Sequence, residues 1–419
     1  MAGPRRQALG LGVVLVVALG AAGPPPAATP SPPVGKTEPP LKLIERIPVQ
    51  TVQTFTGLQE RIVQGSREAA AAQVEAARDV NRVLHSLDMA VWDDVRNRQA
   101  LIKFVLSGGA PDLLKTVLER IKLAEPELKL VRGSFAFAQG HRARALEFFD
   151  TVEPRTLVPS LAGHVALVKA LLLRETDIAR ALSACDEARL LSPGTVIEEA
   201  ALRSTIDLAI AIGDRPRFET AVRRLFQRFP NSVYAMKVDA QIAHVMAAAD
   251  PAARPLDPRV LDVAAVQLPP ARSRMFFQDL AEASVRAGRL PMAILAAERL
   301  NQVSAGDAQL LATSRAIDGA VRIFGAERAA ALRHLLDLEA ADLPANIRQL
   351  IQAARELATI IEAPVDRSLM REVSSTGPAA PSSTPPPAKP TPPQAHDTTV
   401  AKATAKLAEI DKHLAEGGP

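Results

Sequence analysis

Histidines are the first candidates for chemistry in this 419-residue chain, because imidazole ligates metals and transfers protons near neutral pH. A metal site on a helix needs ligands at short spacings, as in a His-Glu-x-x-His pair. The seven histidines have no such spacing: they are His85, His141, His164, His244, His334, His396 and His413. We expect His141 to be solvated or capping beside a turn glycine, and His164 and His244 to lie at the core edge. The sequence therefore predicts no metal site and no cofactor.

Cys185 is the only cysteine, so the chain can form neither an internal disulfide nor a cysteine-based metal cluster. It stands between Ala184 and Asp186 in an apolar helical pattern, which favours a small buried residue. A reactive or intermolecular thiol is the alternative.

Ser107-Gly108-Gly109 is the one glycine-rich stretch that could cradle an anion with backbone N–H groups. It lacks the Gly-Lys-Ser/Thr ending of a P-loop, so a turn between two helices is the better interpretation. The chain has no Gly-x-Ser-x-Gly sequence, and no acidic pair stands out from the helix-surface background. We therefore predict a protein with no catalytic residues. An all-helical hydrolase, with an isolated carboxylate of raised pKa in a deep groove, stays open as an alternative.

Composition indicates closely packed helices. Hydrophobic residues make up 47% of the chain but aromatic residues only 3%, so the core must consist of Ala, Leu, Val and Ile. The 50 basic and 46 acidic residues give a net charge of +4 and are spread evenly. This is a mixed, solvated surface, which gives no case for a nucleic-acid partner.

Three similar stretches turn at Gly140, Gly213 and Gly288, and each starts a second helix with an Ala at the expected helix contact. With further turns at Gly325 and near Glu175, the steps are roughly 35 to 37 residues, close to the tetratricopeptide period. We predict an all-α fold: an array of antiparallel helical hairpins that forms a degenerate tetratricopeptide-like α-solenoid. Such arrays bind protein partners far more often than they catalyse reactions, and no small-molecule substrate is indicated.

The N-terminus resembles an export signal. Arg5 and Arg6 precede an apolar run over residues 8–20, and small residues at 20–22 offer a cleavage site. The apolar run is shorter than the ~20 residues of a membrane-spanning helix, although an uncleaved anchor is the alternative. We expect a periplasmic protein from which the signal peptide has been removed, and which reaches the membrane only through a partner.

The remaining organisation follows from composition. Outside the signal peptide (1–22), the predicted segments are a disordered Pro-rich linker (23–40), an N-terminal helical segment (41–96), a repeat domain (97–364) with a seam at 250–258, a disordered Pro/Ser/Thr-rich linker (374–395) and a short amphipathic helix (398–416). That last helix carries an apolar stripe from Val400 to Leu414. A tethered docking or dimerising helix and a weakly ordered tail are both compatible with the stripe.

The order of several motifs resembles the MotC family, periplasmic motility proteins of alphaproteobacteria. The segments that carry the resemblance are residues 55–65 (FTGLQERIVQG), 90–97 (AVWDDVRN), 104–111 (FVLSGGAP), 191–203 (LSPGTVIEEAALR) and 228–235 (RFPNSVYA). The resemblance extends over about residues 41–362. It implies a non-enzymatic protein required for flagellar rotation, which binds the periplasmic part of the stator protein MotB.

The family resemblance supplies no catalytic residue to transfer to this chain, and the sequence does not identify the partner-binding face. A tetratricopeptide-like adaptor for envelope assembly is the rival interpretation of the same scaffold.

Overall fold

The computed structural model describes residues 48–249, 257–338 and 341–362. Within these ranges the secondary structure is helical, and there is no strand. The predicted segments 1–22, 23–40, 374–395 and 398–416 lie outside the described residues. The all-α prediction is confirmed for the part of the chain that is described.

Seventeen α-helices form the described body, and short 3-10 helices lie at Met89–Asp93, Pro154–Thr156 and Ala235–Val238. The α-helices are α1 (Pro48–Val63), α2 (Arg67–His85), α3 (Val95–Leu106), α4 (Asp112–Arg120), α5 (Glu127–Ala138), α6 (Arg142–Asp150), α7 (Pro159–Leu173), α8 (Ile178–Leu191), α9 (Val196–Ile212), α10 (Arg215–Arg228), α11 (Asp239–Ala248), α12 (Pro258–Gln267), α13 (Pro270–Arg286), α14 (Leu290–Val303), α15 (Ala308–Arg322), α16 (Arg328–Asp337) and α17 (Ala345–Glu362).

Side-chain caps fix where many of these helices begin. Ser66 accepts a hydrogen bond from the N–H of Ala69 at the start of α2. A side-chain oxygen at the N-cap satisfies a backbone donor that has no partner inside the helix. The same arrangement occurs at Asp94, Asp177, Thr195, Asp214, Asp257 and Asp307. Polar N-cap residues therefore determine where these helices begin.

The three predicted turn glycines lie in the left-handed region, with φ of 78° at Gly140, 70° at Gly213 and 66° at Gly288. A Cβ at any of them would meet nothing within 4 Å, so the backbone conformation, and not space, requires glycine there. The predicted turn at Gly325 is confirmed: the residue lies in the α15–α16 connection, although its φ is not left-handed. A further left-handed glycine, Gly306 with φ of 87°, lies in the α14–α15 connection.

Most helices pack against a neighbour in sequence, and many also or instead pack against the next but one. Helix α7 contacts α8 and α9, α13 contacts α14 and α15, and α15 contacts α16 and α17. The Ala residues predicted at the helix contacts, Ala145, Ala221 and Ala293, are buried. This is the hairpin stack predicted from the glycine spacing, in which small residues let the helices approach closely.

The core is aliphatic with a few aromatic contacts. Phe55 and Phe104 meet edge to face at 5.4 Å between ring centroids, and Phe226 and Phe276 do so at 5.2 Å. Trp92 is fully buried in the same hydrophobic cluster as the first of these pairs, which the N-terminal helices form. These aromatic residues thus lie inside the array, where the sequence composition alone could not place them.

One predicted stretch differs from the structure. The sequence pattern predicts a single helix over residues 232–248, but Ser232 Oγ accepts from the N–H of Ala235 and a 3-10 turn precedes α11. The seam at 250–258 stays a prediction, because residues 250–256 lie outside the described residues. Pro258 opens helix α12, because proline is favoured in the first turn of a helix behind an Asp cap. The boundary at residues 96 and 97 stays a prediction.

Replacing Gly213 by Ala is expected to lower the free energy of unfolding by about 1 kcal/mol, because the left-handed conformation strains a Cβ. Gly213→Asn should cost less, since Asn tolerates that conformation. The measurement is a urea unfolding curve followed by circular dichroism.

The matched control is Gly57→Ala in α1, where a Cβ also meets nothing within 4 Å but the backbone is helical. That change should be neutral or stabilising by up to about 1 kcal/mol. Equal effects at the two positions would show that the turn conformation is not what requires Gly213.

Candidate protein-binding surface

The histidines do not come together, and within the described ranges no group of three or more His, Cys, Asp or Glu side chains could hold a metal ion. His141 is exposed, as predicted. The core-edge prediction is wrong for both other residues: His244 is exposed, and His164 is buried in α7. Burial lowers the pKa of His164 to about 3, helped by the charge of Lys103. His396 and His413 lie outside the described residues.

The other two candidates are structural. Cys185 is buried in α8, and burial raises the pKa of its thiol to about 12, so it is a protonated packing residue. The Ser107 turn follows α3, and the carbonyl of Ser107 accepts a hydrogen bond from Gln59 Nε2 at 3.2 Å. Both outcomes agree with the interpretations that the sequence favoured.

Several buried or partly buried carboxyl groups have a raised pKa, because burial penalises the charged form. They are Glu60, Asp207, Asp239 and Asp279. Glu60 accepts the N–H of Val196 with both oxygens at 3.1 Å, and Asp239 is paired with Arg272. None of the four lines the two grooves described below.

The loop between α10 and α11, residues 229–235, is central to the packing of the N-terminal half, and we call it the central loop. The N–H of Val233 donates to the carbonyl of Ile62 at the end of α1, at 3.2 Å. Ser232 Oγ donates to Glu199 Oε1 at 3.1 Å, and Tyr234 Oη donates to Gln73 in α2 at 2.8 Å. One loop thus contacts helices that are far apart in sequence.

A buried ion pair in α9 supports the same loop. Glu199 is fully buried, and its Oε1 accepts from Arg203 Nε at 2.9 Å. The Arg203 guanidinium also lies 5.6 Å from the ring centroid of Tyr234, within cation–π range. Next to it, Glu198 accepts from the N–H of Gly194 and pairs with Arg228 at 2.8 Å. Each acid in this part of α9 therefore fixes a turn or a loop.

These contacts unite three of the segments on which the family resemblance rests: 55–65, 191–203 and 228–235. The end of α1, the start of α9 and the central loop meet in one buried polar junction. Sequence reasoning found the segments but missed that they form one structure. The Glu198-Glu199 pair was the available signal, because acidic residues in an otherwise apolar helix need partners.

The far side of the central loop is held by a second buried ion pair. Arg272 in α13 binds Asp239 at 2.6 and 2.7 Å, and both side chains are almost completely buried. The same guanidinium donates to the carbonyls of Phe229 at 3.3 Å and Pro230 at 2.6 Å. Four charge-assisted hydrogen bonds compensate for the burial of this arginine.

Two adjoining grooves lie on the C-terminal part of the array. The first, of about 510 Å³, lies among α14, α15 and α16, and we call it the acidic groove. Its polar lining is Glu298, Asn301, Gln302, Ser314, Arg315, Asp318, His334 and Asp337. The second, of about 360 Å³, lies at the α15–α16 connection, and we call it the apolar groove. It is lined mainly by Leu290, Pro291, Ile294, Val321, Phe324 and Ala326.

Comparison with known sequences assigns the family. The family described as "MotC: Chemotaxis protein MotC" matches residues 2–419, which is nearly the whole chain. The chain belongs to the MotC family. It is also 25% identical over 328 residues to "Chemotaxis protein MotC" of Rhizobium meliloti (strain 1021), a match that covers 76% of this chain and 73% of that protein. The predicted resemblance is confirmed.

Among solved structures, the crystal structure of the APC/C hetero-tetramer Cut9-Hcn1 is similar with a TM-score of 0.29 and 13% sequence identity. The match covers 73% of this chain, which spans about half (55%) of that chain. In this MotC family member, no helix of the described ranges has the length and apolar character needed to cross a membrane.

Removing the carboxylate of Asp239 should be strongly destabilising, because it leaves the buried Arg272 guanidinium without a counter-charge. We expect Asp239→Ala to lower the free energy of unfolding by about 3 to 5 kcal/mol. The control is Asp79→Ala, which breaks an exposed pair with Arg82 and should change stability by less than about 0.5 kcal/mol. Similar effects in the two variants, measured by urea unfolding, would contradict the structural role of the buried pair.

His164 makes stability depend on pH. The folded protein holds the imidazole neutral, whereas in the unfolded chain its pKa is about 6.5. Below that pH the unfolded state binds a proton that the folded state does not, so stability is lost as the pH falls from about 6.5 towards 3. Between about pH 6 and pH 4, the wild type should lose stability faster than His164→Gln, by up to about 1.4 kcal/mol per pH unit. Parallel pH profiles of the unfolding free energy would refute this.

Proposed function

We propose that this protein is exported to the periplasm and supports flagellar rotation by binding the periplasmic part of the stator protein MotB. The observation that carries the motility role is the match of the MotC chemotaxis family to residues 2–419. Export is supported by the sequence of the first 22 residues, with Arg5 and Arg6 before a short apolar run.

The binding role is proposed to require no catalysis. The buried titratable groups of the described body serve packing: Glu199 pairs with Arg203, Asp239 with Arg272, and the Cys185 thiol lies in the core. The surface grooves are open and mixed in polarity, which suits a protein segment better than a small molecule. Stacked helical hairpins also present long surfaces to partners.

The mechanism we propose is stabilisation of one stator conformation. A helical array bound to the cell-wall-facing part of the stator would favour the state that permits ion flow, in proportion to its preference for that state. The contribution of this chain is then a binding free energy, and torque comes from the stator.

A clean deletion of the gene tests the proposal when swimming is scored and flagellar filaments are imaged in the same cells. Filaments that are present but do not rotate, with swimming restored by the full chain but not by a chain that lacks residues 1–22, are the expected result. Purified protein should then retain the periplasmic part of MotB in a pull-down.

Normal swimming of the deletion strain would contradict the proposal and favour the envelope-assembly adaptor. Missing filaments would indicate a role in assembly and not in rotation. Restored swimming by the chain without residues 1–22 would contradict export through that segment.

A further inference from the structure

Phe324 is unusual among the aromatic residues of the described body because its side chain is 49% exposed. It follows α15 and lies in the apolar groove, next to Leu290, Pro291 and Val321. Half-exposed aromatic residues in apolar grooves commonly anchor protein partners, because their large area is desolvated on binding at little cost in conformational entropy. The apolar groove therefore suits a bulky apolar side chain of a partner.

The adjoining acidic groove has the opposite character. Together the linings of the two grooves carry four carboxylates, from Glu298, Asp318, Glu327 and Asp337, and two guanidinium groups, from Arg315 and Arg322. Their net charge is −2 with His334 neutral, whereas the whole chain has a net charge of +4. A negative groove on a basic protein selects a cationic group by electrostatic complementarity.

Arg322 joins the two grooves into one surface. It belongs to the lining of the apolar groove, and its guanidinium binds Asp318 at 2.8 Å and Glu298 at 3.3 Å, both of which line the acidic groove. From Pro291 to Asn301 along α14 the surface is about 15 Å long, at 1.5 Å per residue. An extended peptide covers that length with about five residues.

The side chains of Asn301 and Gln302 provide both donors and acceptors at the acidic end. Side-chain amides of this kind can form hydrogen bonds with the main chain of an extended peptide, whatever side chains the peptide carries. Side-chain selectivity then comes from the apolar groove at one end and the carboxylates at the other.

We propose that these two grooves bind an extended segment of a protein partner, which carries a bulky apolar residue and, about five residues away, a Lys or Arg. The segment places its apolar side chain against Phe324 and its cation beside Asp318 and Asp337. This inference rests on the proposed binding function, since it assigns the face of the array that the partner uses.

The first test is site-specific photo-cross-linking in swimming cells, with a photoreactive amino acid in place of Phe324. The control carries it in place of Leu190, which is 72% exposed on α8. The expected result is a cross-link at position 324 only, mapped by mass spectrometry to a partner peptide that has an apolar residue and a nearby Lys or Arg. No cross-link above the control, a cross-linked peptide without a cation, or a cross-link to residues 363–419 of this chain would overturn the proposal.

The second test measures affinity for the purified periplasmic part of MotB at two salt concentrations. Phe324→Ala should weaken binding at least tenfold, the effect of losing an aromatic anchor. The double variant Asp318→Asn/Asp337→Asn should bind more weakly and lose most of the salt dependence seen in the wild type. The matched controls are Leu190→Ala and Glu119→Gln, the latter an exposed acid paired with Lys115. Unchanged circular dichroism melting confirms that each variant is folded.

The two proposals fail in different ways. If the deletion strain cannot swim and wild-type protein binds MotB, but the groove variants bind and swim normally, the groove is not the binding face and the proposed function stands. If wild-type protein does not bind MotB, the proposed partner is wrong, and the cross-linking result alone decides whether the grooves hold another protein.

Discussion

Burial of the central loop is the constraint on which the N-terminal half of this array depends. A loop inside a protein must find partners for its backbone N–H and C=O groups, because water no longer reaches them. Here the Arg272 guanidinium satisfies the carbonyls of Phe229 and Pro230, and the carbonyl of Ile62 satisfies the N–H of Val233. Helices α1 and α13 therefore become fixed to the same seven residues, although they lie in different repeats.

Charged residues make this arrangement possible. An arginine can donate several hydrogen bonds in one plane. A single buried arginine can therefore neutralise a carboxylate and also donate hydrogen bonds to the main-chain carbonyls of a loop. Glu199 acts as an acceptor, and it takes hydrogen bonds from the side chains of both Arg203 and Ser232. Burying these charges costs desolvation free energy, which is offset only where every hydrogen-bond and ion-pair partner is present. Burial of apolar surface in the aliphatic hairpins around these charges provides most of the stability. The ion pairs determine which helices contact each other.

Much of the fold could be predicted from the sequence, because hairpin arrays are built from local signals. Glycine at Gly140, Gly213 and Gly288 and the cap at Ser66 are enough to locate helix ends within a few residues. Gly325 shows the limit: it lies in a predicted turn, but a glycine in a turn does not prove a left-handed backbone. Pro258 shows a second limit: a proline that suggests a break in the sequence can also be the first residue of a helix.

The binding surface could not be predicted in the same way. Phe324, Asp318 and Asp337 lie on separate elements, and each has an ordinary local sequence context. Only the packing of α14, α15 and α16 brings them to one face. The polar junction was missed for a similar reason, because Glu60 and Val196 are 136 residues apart and no local rule connects them.

That separation also sets an order of events during synthesis. The end of α1 leaves the ribosome long before its partners in α9 and the central loop, which lie up to 171 residues later, between Ile62 and Val233. At usual elongation rates of about 5 to 20 residues per second, the delay is about 10 to 30 s. The later hairpins can fold locally as they appear, but the first helix waits with part of its apolar face uncovered. The native contacts of the first helix are thus complete only after the central loop has been made.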